Sequence, residues 1–490
     1  MRILIPDTWH FHRRNFAAFY DAVAAERIPL WVEKSRRRWW KRHGDYRPLA
    51  GQLARHLAAL EGLGPEALLR EEHRGVRLFA VARSELLCLL LPRWVYGAGP
   101  NDEAAIIARA WNTDREDLLL CMAAARDWID FWDATLARKG PFTHALAFSG
   151  SYIYTRALHE VAARAGLRTF AMESFFTGND FYFEERATPL SNNSALGDPA
   201  WMARLTLPDD PGQRARLRAE AQHRLRGMRN KNVRADASQL VPPPFDNRGE
   251  GTVLVIGQVL NDFSLIETPL PELSSAEIYR TLIGGILERT NRTVVFKAHP
   301  WERRRPNLGG AVTLDLLHRW AATLPPDRQV RLKLVESEPI GGLFPHVDHA
   351  VALCSQGLLE AAQAGLKPIQ LGRAFFGGHG FTHDVSDVAA AVEGLASGRL
   401  GGRLSIDEYR AFEDFLVRAL LMHLVANSPE GAAKVAKRLA QPHHVPTVDE
   451  ARLFQPARQS RVHVVAQALA NPVATALLAR ARWLARRLQR

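Results

Sequence analysis

Short apolar runs alternate with amphipathic stretches along most of the chain. Arg2 to Ile5 reads as a short buried strand, followed by a helical pattern from Phe16 to Val23 and a strand from Ile28 to Val32. From about Asp45 to Asp133 the period is mostly helical, with apolar residues at helical spacing in Leu53–Leu60 and Leu118–Phe131. This stretch, about 45–133, predicts a helical insertion on a first α/β domain. A strand at His144–Phe148, a turn at Gly150 and Ser151, an amphipathic helix to Ala165 and a strand at Arg168–Met172 come next. Together they form a β-turn-α-β unit, the building block of a parallel sheet.

The segment 241–251 holds three consecutive prolines and two glycines, which favour an extended chain and flexible turns, so it predicts a linker. Beyond it the alternation is regular. Strands are expected at Val253–Ile256, Thr293–Phe296, Val330–Val335, His349–Leu353 and Pro368–Leu371. Helices are expected at Ala276–Glu288, Val312–Leu324, Gln356–Ala364 and Asp384–Leu395. The expected organisation is an N-terminal α/β domain over 1–240, the linker, a Rossmann-like domain over 252–400 and a helical tail over 401–490.

Composition narrows the class. The chain has 490 residues, 47% hydrophobic and 24% charged, which excludes disordered and low-complexity proteins and suits two domains. The net charge of +12 points to anionic partners. The three cysteines cannot form a disulfide framework and none has metal-ligand spacing, so reduced thiols and a cytoplasmic location are expected. The apolar run at the N-terminus is broken by Pro6 and Asp7, and Leu86–Leu91 stops at Pro92, well short of the roughly 20 apolar residues of a spanning helix.

Ligands of open parallel sheets bind beyond the carboxyl ends of the strands. Four strand ends here carry polar, cationic or glycine-rich residues. Gln258, Asp262 and Ser264 come after the first strand of the second domain, and Lys297, His299 and Pro300 after the next. Ser355, Gln356 and Gly357 open a helix after the fourth strand; Arg373, Gly380 and Thr382 lie in the glycine-rich loop after the fifth. Each has a plainer reading. Asp262 could merely cap a loop, Ser355 could be a plain helix cap, Lys297 and His299 could be a solvated strand end, and the glycines could make a turn. In the first domain Glu173 directly follows an otherwise apolar strand, where a surface glutamate is the plainer reading. The stretch Phe181–Arg186 and the run Ser191-Asn192-Asn193-Ser194 read as a loop able to bind a hydroxylated ligand.

Taken together, these residues resemble the bacterial capsule polysaccharide synthesis family, which includes the β-Kdo transferases. The likeness covers roughly Thr143 to Glu393. It rests on Gly257-Gln258-Val259 with Asp262 and Ser264, on Lys297 with His299-Pro300, and on a third block. That block comprises Ser355, Gly357, Glu360, Ala361, Gly365, Lys367-Pro368, Gly372, Phe375-Phe376, Gly380, Phe381-Thr382 and Asp384. The insertion and the tail match nothing in the family. The resemblance implies two Rossmann-like domains in a GT-B-like glycosyltransferase architecture. It implies CMP-Kdo as a nucleotide-sugar donor, no separate cofactor and no metal. Gln258, Lys297, His299, Pro300, Ser355, Gln356, Gly357, Arg373, Gly380 and Thr382 would bind the donor, with His299 at its phosphate. Asp262 would attack the anomeric carbon, Glu173 would deprotonate the acceptor hydroxyl, and Asn192 and Asn193 would face the acceptor.

Both ends of the chain are basic. Val473–Arg490 carries five arginines and no acid, with its apolar residues on one helical face and its arginines on the other. Arg36-Arg37-Arg38-Trp39-Trp40-Lys41-Arg42 adds cations beside aromatics. Either packing on the body or binding an anionic membrane explains the first; no nucleic-acid motif accompanies them. The expected protein is a peripheral enzyme at the inner face of the cytoplasmic membrane, passing a sugar to a lipid or glycolipid acceptor. Other capsule synthesis or export proteins are expected as partners. The alternatives are a related nucleotide-activated sugar or glycerol-phosphate transferase and a non-catalytic capsule export component.

Overall fold

The structure, a computed structural model, describes residues 1–447 except Lys41, 227–249, Pro269, Pro271 and Ala311. The chain is an α/β protein built on two six-stranded sheets. The first holds β1 (Ile3–Ile5), β2 (Leu30–Val32), β3 (His144–Phe148), β4 (Arg168–Ser174) and β5 (Asp180–Glu185). The second holds β6 (Thr252–Ile256), β7 (Thr293–Lys297), β8 (Leu332–Val335), β9 (His349–Ala352), β10 (Ile369–Gln370) and β11 (His383–Asp384). A late strand, β12 (Val425–Ala426), returns to the first sheet.

The second sheet runs β8-β7-β6-β9-β10-β11 and every pairing in it is parallel. Numbered from its own first strand this is the order 3-2-1-4-5-6 of the dinucleotide-binding fold. Its apolar strands are buried on both faces, as parallel strands covered by helices must be. The first sheet runs β12-β5-β4-β3-β1-β2, parallel from β2 to β4 and antiparallel at β5 and β12. Each sheet therefore has a point where strand order reverses: between β1 and β3 in the first, and between β6 and β9 in the second.

Helices match the apolar periodicity. They include α1 (Ala17–Ala25), α2 (Leu78–Leu90), α3 (Arg115–Lys139), α4 (Ile153–Arg164), α5 (Phe263–Ile266), α6 (Gly357–Gln363) and α7 (Pro429–Ala440). Between β2 and β3 the chain is mainly helical, with a small hairpin pairing Glu72–His73 to Val76–Arg77. These helices share one apolar core with α4, and Ile266 and Leu273 of the second domain join it. The insertion thus grips both domains.

Four local expectations change. Phe181–Arg186, read as a loop, is mostly β5: its aromatics pack into two cores, and Glu173 of β4 stands opposite Tyr182. The strand expected from Val330 begins at Leu332, because Pro326–Gln329 forms a helical turn. The last helix of the second domain begins at Val388, since His383–Asp384 pairs with β10 and Asp387 supplies the cap. Residues 401–447 are no appended tail. After a helix at Ile406–Leu416 and a π-helical turn, β12 pairs with β5, and α7 packs its Val435 and Leu439 with Phe19, Ala22 and Val23 of α1. Buried charges lock this return: Glu184 Oε1 lies 2.9 Å from His423 Nε2, and Arg438 donates to the Phe183 carbonyl at 2.7 Å.

The N-terminal basic run is also altered by folding. Trp39 and Trp40 are buried, and Arg36 pairs with Asp127 while stacking on Trp39, Trp128 and Phe131. Its aromatics are core, not a membrane-facing surface. The linker expected at 241–251, except Glu250 and Gly251, and the amphipathic stretch Val473–Arg490 lie outside the described residues.

Candidate active site

The crevice of the second sheet opens between β6 and β9. Gly257 leaves β6 so close to β7 that a Cβ there would lie 2.6 Å from Phe296 Cζ and 3.0 Å from the Lys297 carbonyl. Gln258 then bridges the crevice: its Oε1 accepts the Cys354 N–H at 3.0 Å, and its own N–H donates to Tyr279 Oη at 3.1 Å. Asn261, fully buried, donates to the Cys88 carbonyl of α2 at 2.7 Å. Asp262 caps α5: one carboxylate oxygen accepts the Ser264 N–H at 3.0 Å and the other accepts from Arg305 Nη2 at 3.1 Å.

Electrostatics knit Asp262 to the next strand end. Burial pushes its carboxyl up, but Arg305, the Ser264 N–H and His299 together hold it below the usual carboxylate range. His299 is pushed down to about 4 by burial, with Arg305 and Lys297 adding to the effect and Asp262 opposing it. Its Nδ1 accepts the Trp301 N–H at 3.2 Å, which fixes the ring beside the exposed Pro300. Lys297 is more deeply placed. Its ammonium donates to the carbonyls of Ala298 and Glu336 at 2.8 and 2.9 Å, so two of its three N–H groups serve the fold.

The other expected donor residues fall into two groups. Ser355 and Gln356 stand at the crevice. Ser355 Oγ accepts the Gly357 N–H at 3.2 Å, the capping role, while Gln356 Oε1 is buried with no hydrogen-bond partner among the described residues. Arg373, Gly380 and Thr382 lie further out. Arg373 is exposed, Gly380 has a left-handed φ of 86°, and Thr382 Oγ1 donates to Asp384 at 2.8 Å. Their loop is a domain contact: His379 Nε2 lies 2.9 Å from the Leu196 carbonyl, and Phe375 meets Tyr182 and Phe175.

From the first domain, Asn192 Nδ2 donates to the Ser264 carbonyl at 3.1 Å and Asn193 Nδ2 to the Glu267 carbonyl at 3.5 Å. Both clasp the segment just beyond Asp262. Glu173 lies against Tyr182, on the aromatic wall shared with Phe375, and its charge helps burial and Glu184 raise the Tyr182 hydroxyl well above its ordinary range.

The crevice of the first sheet, between β1 and β3, carries chemistry absent from the sequence-derived candidates. Asp7, fully buried, lies just past β1. Its Oδ1 accepts the N–H groups of Trp9 and His10 at 2.7 Å each, and its Oδ2 accepts the Tyr154 hydroxyl at 2.8 Å. His10 Nδ1 is 3.3 Å from Asp7 Oδ2 and 3.0 Å from Tyr154 Oη. Burial pushes the Asp7 carboxyl up, and His10 and Tyr154 outweigh it, leaving the pKa lowered. The His10 ring stacks on Phe148, 4.5 Å between centroids and 8° from parallel. Tyr152 lies 5.2 Å from His10 on one side and 4.9 Å from Phe263 on the other. The two crevices thus meet across one tyrosine. Asp7 and His10 sit at the carboxyl end of a strand, the same signal that marks Asp262 and His299 in the second sheet. Arg305 and Tyr152 carry no comparable sequence signal.

Nearby, a cavity of about 410 Å³ is lined by Arg83 and Ser84 of α2, Ser151 and Arg156 of the first domain, and Glu267 and Thr268 of the second. No group of three or more His, Cys, Asp or Glu able to hold a metal ion occurs among the described residues. No described helix is long and apolar enough to cross a membrane.

No protein-family profile matches the chain, and no curated protein does. Among solved structures, the chain is similar to KpsC of Thermosulfurimonas dismutans. For its β-Kdo 2,4 transferase the identity is 18% and the TM-score 0.37, over 56% of this chain and 81% of that one. For its β-Kdo 2,7 transferase the identity is 16% and the TM-score 0.37, over 63% and 88%. The glycosyltransferase SnogD of Streptomyces nogalater is 15% identical over 90% of this chain and 99% of its own, with a TM-score of 0.32. The architecture rests on the strand orders above and not on these likenesses.

Proposed function

We propose that the protein is a glycosyltransferase that binds a nucleotide-activated sugar at the crevice of its second sheet and passes the sugar to a hydroxyl acceptor. One observation carries this reading: Asp262, Arg305 and His299 form one electrostatically linked cluster at the carboxyl ends of β6 and β7, beside the point where the strand order of a dinucleotide-type sheet reverses. A nucleotide diester needs cations and N–H donors there, and a developing oxocarbenium centre needs a fixed carboxylate. In this reading Arg305 and His299 meet the phosphate. Asp262, held ionised, is the nucleophile that forms a covalent sugar ester, and the phosphate leaves with the bonding electrons. Gln356 meets the donor through its orphaned oxygen. Ser355, Gly357, Arg373, Gly380 and Thr382 belong to the donor side by resemblance; Gln258, Lys297 and Pro300 shape the loops that carry the site.

The donor of this proposal is CMP-Kdo and the setting is capsule or surface polysaccharide synthesis, both on the residues of the three resembling blocks. The acceptor is a lipid or glycolipid. Asn192, Asn193 and Glu173 lie on the acceptor side, and the 410 Å³ cavity offers space of the kind that takes a small ligand. The basic stretch Val473–Arg490 would hold the enzyme at the inner face of an anionic membrane. The proposal invokes no cofactor.

Calorimetry with CMP, on the wild-type protein and on His299→Ala, tests it. Micromolar binding that the variant loses supports a cytidylate site. Binding of UMP or CDP in place of CMP keeps the transferase and discards Kdo. Failure to bind any nucleotide overturns the proposal in favour of a non-catalytic export component.

A further inference from the structure

We propose that His10 is the base that takes the proton from the acceptor hydroxyl, and that Asp7 and Tyr154 are its positioning residues. The inference rests on the transferase reading above and adds to it the group that completes the transfer.

Hydrogen-bond bookkeeping fixes the tautomer. Asp7 is ionised and can only accept. Tyr154 has one hydroxyl hydrogen, which goes to Asp7 Oδ2 at 2.8 Å. The Tyr154 oxygen, 3.0 Å from His10 Nδ1, is then an acceptor, as is Asp7 Oδ2 at 3.3 Å. In its neutral form the ring therefore carries its proton on Nδ1 and keeps the lone pair on Nε2. Stacking on Phe148 and the two N–H bonds that clamp Asp7 hold the ring in place. This is how a second group orients a general base.

Location is the independent argument. His10 stands at the switch point of the first sheet, Asp262 beside that of the second, and Tyr152 touches His10 and the ring of Phe263 next to Asp262. An acceptor between the domains would have the sugar-bearing carboxylate on one side and the His10 imidazole on the other. Glu173 is less suited to the role. Its neighbours across the strand are Tyr182 and the aromatic wall that seals the domain contact.

The step balances. The acceptor oxygen forms a bond to the anomeric carbon, whose ester bond to the Asp262 carboxylate oxygen breaks with its electron pair on that oxygen. The acceptor proton moves to His10 Nε2, and the imidazolium is stabilised by the Asp7 carboxylate. The proton is later lost from Nε2 to water.

The test needs no knowledge of the natural acceptor. CMP-Kdo and UDP-glucose are offered to the wild-type protein with water as acceptor, and the donor it consumes is then used with His10→Ala, His10→Gln and Asp7→Asn. Each variant is assayed with and without sodium azide, a nucleophile with no proton to remove. The expected result is a fall of about 10²- to 10⁴-fold in water-driven consumption for both His10 variants. Asp7→Asn falls less. Azide restores all three, and donor affinity by calorimetry stays within twofold. Wild-type rates in both His10 variants, or a loss that azide fails to restore in folded protein, overturns the inference and leaves the transferase standing. Consumption of neither donor by the wild type overturns the transferase reading and this inference with it.

Discussion

Tyr152 and Phe263 meet edge to face, 4.9 Å between ring centroids and 76° between planes. One ring opens α4 of the first domain and the other opens α5 of the second, directly after Asp262. The contact therefore sets the distance across which a sugar would pass. A double-mutant cycle of Tyr152→Ala and Phe263→Ala, read by urea unfolding, should return a coupling of about 0.5–1.5 kcal/mol.

Arg305 is the nearest counter-charge to Asp262, 3.1 Å from its carboxylate. Removing it as Arg305→Met leaves the burial that raises Asp262 and deletes the first of the groups that lower it. The acid limb of the pH–rate profile for donor consumption should move to higher pH. The rate on the plateau should fall at least tenfold, because the phosphate loses a cation. An unmoved limb would separate Asp262 from the rate-determining ionisation.

Gly257 has no room for a side chain. Gly257→Ala would press a methyl group on Phe296 Cζ and the Lys297 carbonyl and part β6 from β7 at the mouth of the crevice. A loss of about 1–3 kcal/mol is expected in chemical denaturation, with weaker nucleotide binding.

Gln258→Leu would keep the volume at the crevice and delete the acceptor of the Cys354 N–H. That N–H is buried, so its orphaning should cost about 1–3 kcal/mol. Donor affinity should fall further than stability alone accounts for, because Ser355 and Gln356 come directly after Cys354. Calorimetry on the folded variant separates the two effects.

Glu184 ties the returning C-terminal segment to the first sheet. Burial raises its carboxyl, but His423, Arg186 and Ser194 outweigh this and bring it down to about 2. Protonation is thus harder in the folded state than in an unfolded chain, where a glutamate titrates near 4.3. The stability Glu184 contributes is complete above that value and is lost as pH falls from about 4.3 toward 2, on the order of 3 kcal/mol in all. Glu184→Gln should flatten that part of the stability–pH curve, measured by urea midpoints from pH 2 to 6.

Strand order and strand ends explain why much of the second domain is legible in the sequence. Its parallel strands are buried on both faces, so each is a short apolar run flanked by polar turns. Such runs stand out one at a time, and the polar residues at their carboxyl ends mark the crevice: Gln258, Asp262, His299 and Gln356 are legible in this way. β5 is not, because Phe181-Tyr182-Phe183 is succeeded at once by two glutamates and an arginine, which locally resembles a loop. Only pairing with β4 and β12 makes it a strand.

By itself the sequence determined most of the buried strands and amphipathic helices, the α/β class and the polar strand ends, because apolar period and turn chemistry act over a few residues. Tertiary structure decided what depends on residues far apart in the chain. It brought Arg305 to Asp262, used Lys297 and Thr382 for internal bonds, and buried Trp39 and Trp40 in a core. It threaded residues 401–447 back onto the first sheet and set His10 between Asp7, Tyr154 and Phe148. A side chain's partner is fixed by which surfaces the whole chain buries together, and no local pattern carries that information.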